Sequence, residues 1–198
     1  MEPPILLALL GFAFATTWTP GPNNMMLATS GATFGWRQTV PHAMGVALGF
    51  PLMVFLIALG LGAVFQRSEA LRTGLAWVGF AVMLYLAWRI STAGAAKAQT
   101  RTRPLRFHEA AAFQWVNPKA WVMATGVSAT YVDGENPVVD AAIIAVAFLI
   151  AGLTSSQTWV AFGVAIRRIL GAGARLRAFN VTMGLLLVAC ALWMVMDR

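Results

Sequence analysis

The chain has 198 residues, of which 14 are Lys or Arg and 7 are Asp or Glu, so only 11% are charged while 59% are hydrophobic. Soluble domains carry about 25% charge and about 45–50% apolar residues, and a disordered chain needs low hydrophobicity with high charge; both classes are excluded. Uncharged stretches of 34 residues (Glu2 to Arg37), 29 (Arg37 to Arg67), 26 (Asp140 to Arg167) and 19 (Arg177 to Asp197) match the ~20 residues that cross a bilayer. The net charge of +7 sits in short loops between apolar segments. It therefore reads as a topology signal rather than a nucleic-acid patch.

The apolar runs are long and continuous, without the alternation of a membrane barrel. The expected class is an all-α polytopic membrane protein with six transmembrane helices. They fall at about Pro4 to Leu27, Val40 to Phe65, Arg72 to Arg89, Ala110 to Val132, Val138 to Gly163, and Phe179 to Met196. Five spans remain the alternative if the third or fourth does not cross. The first residues, Met-Glu-Pro-Pro, lack the basic start of a cleavable signal. Cys190, the one cysteine, excludes an internal disulfide and reads as packing. Trp36, Trp88 and Trp193 suit interfacial belts.

The loops after odd-numbered spans hold ten Lys and Arg residues; the other side holds three, Arg67, Arg72 and Arg198. The positive-inside rule then places odd loops in the cytoplasm and both termini outside. The basic segment at about 91–109 divides a single transmembrane domain, 1–198, into halves of about 1–90 and 110–198. It reads as a solvated linker, with anionic lipid as the alternative ligand. Three spans per half is an odd number, so the halves face opposite ways. Pro22, Ala28 and Thr29 recur 96 residues later as Pro118, Ala124 and Thr125. Two inverted three-helix repeats with proline-broken helices 1 and 4 are a transporter signature.

The first break is Thr19-Pro20-Gly21-Pro22-Asn23-Asn24. Proline removes an amide donor and clashes with the preceding turn. Broken backbone inside a membrane must be buried in protein or line a watery cavity. The segment is either a substrate-binding or gating break, or an interfacial turn ending span one. The second is Gln114-Trp115-Val116-Asn117-Pro118-Lys119, which lies inside its span. A lysine there costs roughly 2.5–3.5 kcal/mol on insertion scales. Its functional reading is to bind a carboxylate or to release a proton when substrate binds.

His42 reads as an interfacial histidine or a proton-handling group. Thr154 to Thr158, with Gln157 among them, read as interhelical hydrogen bonding or a path lining. Gly45 and Gly49 form a GxxxG that favours close helix contact, within the chain or in a homodimer. No acidic pair lies within a span, and no zinc motif, phosphate loop or serine motif is present, so neither an enzyme, a cofactor nor a metal is expected.

Pro20-Gly21-Pro22-Asn23 together with Asn117-Pro118-Lys119 resembles the LysE/RhtB amino-acid exporter family, and the likeness extends over nearly the whole chain. Gly35-Trp36-Arg37-Gln38 and Leu48-Gly49-Phe50 look like its cysteine and O-acetylserine exporter branch. Many family members have an acid where this chain has Phe50, which argues against cationic cargo. The resemblance implies proton-driven efflux of small neutral amino acids or derivatives across a bacterial inner membrane. Its binding or gating residues would be Pro20, Gly21, Pro22, Asn23, Asn24, Gln114, Asn117, Pro118 and Lys119, with His42 and Gln157 in the path or the coupling. The partners are then an amino-acid substrate and the lipid bilayer, with no nucleic acid. A non-transporting membrane scaffold is the rival reading; an intramembrane hydrolase, lacking a nucleophile–base pair, stands third.

Overall fold

The computed structural model describes residues 1–93, 103–132, 136–171 and 173–196. Lys97, Arg101 and Arg198, which are among the cations of the charge argument, lie outside the described residues, as does most of the basic linker. Among the described residues every regular element is a helix.

The first apolar run forms two helices, α1 (Pro3–Trp18) and α2 (Pro22–Phe34), with their axes bent by 54°. The second run begins at α3 (Trp36–Leu56), passes a wide turn at Ile57–Leu61 and ends as α4 (Gly62–Arg67). Gly60 sits in that turn at φ 113°, a conformation that favours a residue without a Cβ. α5 (Glu69–Thr92) follows, its start capped by the Ser68 hydroxyl accepting from the Leu71 amide. After the linker come α6 (Phe107–Phe113), α7 (Pro118–Tyr131), α8 (Pro137–Leu170) and α9 (Ala174–Met196).

The run from α3 to α4 and helices α5, α8 and α9 are each long and apolar enough to cross a membrane, and α1 with α2 makes a fifth span if the bent pair is one crossing. The segment expected as the fourth span is divided into a seven-residue α6 and a 14-residue α7. Neither alone reaches the ~20 residues that a crossing needs.

α8 is the central element. α3, α2 and α1 pack on it; α6 packs on α3, and α5 pairs with α9. Small residues set these distances. A Cβ on Gly163 of α8 would fall on the Ala28 carbonyl of α2, and one on Gly45 of α3 on the Phe107 carbonyl of α6. On Gly49 it would lie 2.6 Å from the Ala111 Cα. The GxxxG face of α3 therefore seats α6 of the same chain. Large apolar side chains point outward, among them Leu7, Val122 and Ile169, and so do Trp36, Trp88 and Trp193. Outward apolar surface of this extent suits a lipid environment.

Polar ties gather the ends of the helices. Arg167 at the end of α8 donates to the Thr33 carbonyl at 2.7 Å. Asn180 of α9 donates to the Ala93 carbonyl at 3.1 Å and to the Thr33 hydroxyl at 3.2 Å. The ends of α2, α5 and α8 and the start of α9 thus share one end of the bundle.

Candidate functional site

The first break is built by its prolines. Pro20 has no amide to offer the Thr16 carbonyl, and Pro22 has none for Trp18. Pro22 instead occupies the first position of α2, where no amide is needed. Side chains then satisfy the end of α1. The Asn24 amide donates to the Thr17 and Thr19 carbonyls, both at 2.9 Å. Ser155 of α8 donates to the Thr17 carbonyl at 2.8 Å. Asn24 is therefore a clip across the break, with both amide hydrogens committed to backbone.

The second break repeats the device. A single tight turn, Gln114–Val116, follows α6, and Pro118 opens α7. Asn117 is buried and caps α7, its side-chain oxygen accepting from the Lys119 amide at 3.2 Å. That oxygen serves the helix start.

The two breaks meet. The Asn23 amide donates to Gln114 Oε1 at 2.8 Å, and Gln114 Nε2 donates back to Asn23 Oδ1 at 3.2 Å. Gln114 has no exposed surface, and its second amide hydrogen goes to the Ala110 carbonyl at 2.8 Å. Lys119 reaches across to the first break, its Nζ donating to the Thr19 carbonyl at 2.6 Å. Gly21 leaves room for that side chain: a Cβ there would sit 2.8 Å from Lys119 Cδ. Among the described residues, Lys119 has backbone carbonyls and no carboxylate as hydrogen-bond partners.

A cleft of about 480 Å³, part of it open to the outside, lies beside this junction. Its polar wall includes Thr16, Thr17, Asn23, Asn24, Asn117, Lys119, Ser155 and Ser156; Val46, Phe50, Pro51 and Met123 form an apolar wall. Phe50 packs edge-on against Phe148 with centroids 5.3 Å apart. The starts of α2 and α7 both border the cleft, and helix N-termini favour anions. An ammonium with no carboxylate partner among the described residues adds to that preference.

Of the residues singled out in the sequence, Gly21, Asn23, Asn24, Asn117 and Lys119 line the cleft. Gln114 lies behind it, bonded to Asn23, while Pro20 is exposed at the break and Pro22 and Pro118 open the two helices. Gln157 does not line it; its neighbours Ser155 and Ser156 do. His42 is 1% exposed, so it is buried within the bundle; its Nδ1 lies 3.1 Å from Ser30 Oγ, and it lines a different chamber. Sequence reasoning missed Thr16 and Thr17, because threonines in an apolar helix carry no signal of their own. Among the described residues no group of three His, Cys, Asp or Glu is placed to hold a metal ion.

The model of the LysE type translocator family matches residues 14–198. The cysteine/O-acetylserine efflux protein of Salmonella typhimurium (strain LT2) is 31% identical over 194 residues, 96% of this chain and 97% of that protein. The protein of the same name from Escherichia coli O6:H1 is 29% identical over 193 residues, again 96% of this chain and 97% of the relative. No solved structure matches.

Proposed function

Because the chain belongs to the LysE-type translocator family, and so is a multi-pass membrane amino-acid exporter rather than an enzyme, we propose that it expels small neutral amino acids or derivatives of the cysteine, O-acetylserine and threonine kind, driven by the proton gradient across a bacterial inner membrane. The observation that carries this reading is the junction of the two breaks, where Lys119 is tied to the Thr19 carbonyl beside a small cleft. A zwitterion suits that cleft. Its carboxylate meets the Lys119 ammonium and the N-terminal ends of α2 and α7. Its ammonium meets the Thr16 carbonyl, which Pro20 leaves without an amide. Phe50 offers no charge to a cationic side chain, in keeping with neutral cargo.

In this reading α1–α2 and α6–α7 are the first and fourth of six spans, and the halves are inverted repeats. The matched starts of α2 at Pro22 and α7 at Pro118, and the packing of α1 on α8 and α6 on α3, support it. The basic end, where Arg89, Arg103 and Arg167 gather, faces the cytoplasm and both termini face the periplasm. Lys119 acts either by holding the carboxylate or by releasing its proton as cargo binds.

The test is uptake into inside-out proteoliposomes with an imposed pH gradient, using radiolabelled cysteine, O-acetylserine, threonine and lysine. Gradient-dependent accumulation of a neutral amino acid, lost in Lys119→Ala protein that remains folded, is the expected result. Lys119→Arg keeps the charge but not a releasable proton, so it separates the two roles: carboxylate binding survives, proton release does not. Normal transport by Lys119→Ala sinks the site.

A further inference from the structure

A second chamber lies nearer the basic end of the bundle, between α2, α3, α5 and the chain at 103–105. It spans about 430 Å³ of space, part of it open to the outside, and shares no lining residue with the first cleft. Its polar wall is Thr29, Ser30 and Thr33 from α2, His42 from α3, Arg89 from α5, and Arg103. The export reading above does not use it.

Two independent observations point to a ligand here. His42 is 1% exposed and its Nδ1 faces Ser30, yet among the described residues its buried Nε2 has no hydrogen-bond partner. Buried polar atoms are nearly always bonded, so this atom calls for a partner that the described residues do not supply. The second is charge. Arg103 is held by Glu109 through two hydrogen bonds. Arg89 spends one N–H on the Arg103 carbonyl at 2.9 Å, and Tyr85 lies 5.7 Å from its guanidinium carbon. Among the described residues no carboxylate forms a salt bridge with Arg89. A guanidinium with free donors in a partly enclosed chamber selects a carboxylate.

α2 connects the two chambers. Asn23, Met26, Ser30 and Thr33 recur at intervals of three and four along it, which places them on one face. Asn23 borders the first cleft and the other three the second. The Asn23–Gln114 amide pair lies at the step from one to the other.

We propose that this chamber is a receiving site on the cytoplasmic side, which binds the carboxylate of an amino acid on Arg89, with His42 Nε2 as a second polar contact, before the cargo passes to the Lys119 cleft. The proposal rests on the exporter reading and its orientation, and it adds a second carboxylate site to the path.

The test compares the two faces of the transporter. Initial rates for radiolabelled cysteine and O-acetylserine are measured in inside-out vesicles, which present the cytoplasmic face, and in right-side-out vesicles, which present the periplasmic one. Arg89→Gln raises KM at the cytoplasmic face about tenfold, the usual worth of a charge-assisted hydrogen bond, with KM at the periplasmic face unchanged. Arg89→Lys restores part of the loss. His42→Asn, which keeps a polar atom for Ser30 but removes Nε2, shifts KM in the same one-sided way by a smaller factor. Equal shifts at both faces, or none, overturn the receiving site while leaving the Lys119 cleft standing. Wild-type protein that is folded and carries neither compound overturns the proposed cargo, and this site with it.

Discussion

The tie between Asn23 and Gln114 gives a sharp test of how the two breaks are held together. The pair makes two hydrogen bonds between residues 91 positions apart, at 2.8 and 3.2 Å. Gln114 is fully buried, so its amide has no water to fall back on. Removing one partner leaves the other's buried polar atoms unmet. Asn23→Ala should therefore cost about 1–3 kcal/mol. Gln114→Ala also empties a buried volume and frees the Ala110 carbonyl, and should cost about 2–4 kcal/mol. In the double variant neither member of the pair is stranded, and the Ala110 carbonyl is left as it is in Gln114→Ala alone. Hydrogen bonds in membrane proteins average about 0.6 kcal/mol by double-mutant cycle, with a maximum near 1.7. Two bonds in one reciprocal pair thus predict a double variant about 1–2 kcal/mol more stable than the sum of the singles implies. Equilibrium unfolding of the four proteins in mixed detergent and lipid measures this. Single effects that add to within about 0.5 kcal/mol would refute the claim that this pair couples the breaks.

Three further outcomes are expected. Gly163→Ala puts a Cβ onto the Ala28 carbonyl and should destabilise the α2–α8 contact by about 1–3 kcal/mol; Gly152→Ala on the same helix meets nothing closer than 3.7 Å and should leave the Tm nearly unchanged. Gly21→Ala is sterically mild for the backbone, since φ there is −176°, but it crowds Lys119 Cδ; the protein should fold normally and transport several-fold more slowly, and unchanged kinetics would dissociate Lys119 from transport. The Arg103 guanidinium beside Glu109 is the main reason its carboxyl is held down to about 2. A depressed carboxylate adds stability above its unfolded pKa, near 4.3, and loses it as pH falls toward 2. The pair is partly exposed, so the advantage of wild type over Glu109→Gln should be under about 1 kcal/mol at pH 7. It should fade below about pH 5, and an advantage that grows on acidification would reverse the assignment.

The parts of this molecule that were legible are those written in local chemistry. Pro20, Pro22 and Pro118 announced both breaks, because a missing amide acts on its own helix wherever the helix packs. Lys119 was legible as costly, and the cost has a visible answer in the Thr19 carbonyl. What the breaks hold onto was not legible. Gln114 and Asn23 were both noted, but nothing in either neighbourhood names a partner 91 residues away. The same limit applies to Gly45 and Gly49: their spacing demands a close helix, and only the packing shows that helix to be α6. The burial of His42 was not legible either, because it depends on α2 covering the ring, through Ser30. The polar run in span five pointed at Gln157, whereas the helix turns Ser155 and Ser156 to the cleft. A run of adjacent polar residues covers every face of a helix, so it cannot say which one is used.

The way the first break is tied suggests which limb moves. Of the 13 residues of α2, nine are buried; of the 16 in α1, only Leu9 and Ala13 are. The last turn of α1 is held by the Asn24 clip and by two ties from the second half of the chain, Ser155 to Thr17 and Lys119 to Thr19. Local opening follows the weakest-packed element, so loss of those ties should free α1 and leave α2 in place. Hydrogen exchange in lipid nanodiscs tests this. In Lys119→Ala, amides near Trp18 and Thr19 should exchange faster while those of α2 keep their protection. A cargo carboxylate that draws Lys119 away from Thr19 would do the same, so cysteine or O-acetylserine added to wild type should produce a weaker version of that pattern. Uniform acceleration along α1 and α2 would mean that the bent pair moves as one piece, and the break at Pro20–Pro22 would then be a fixed bend rather than a hinge.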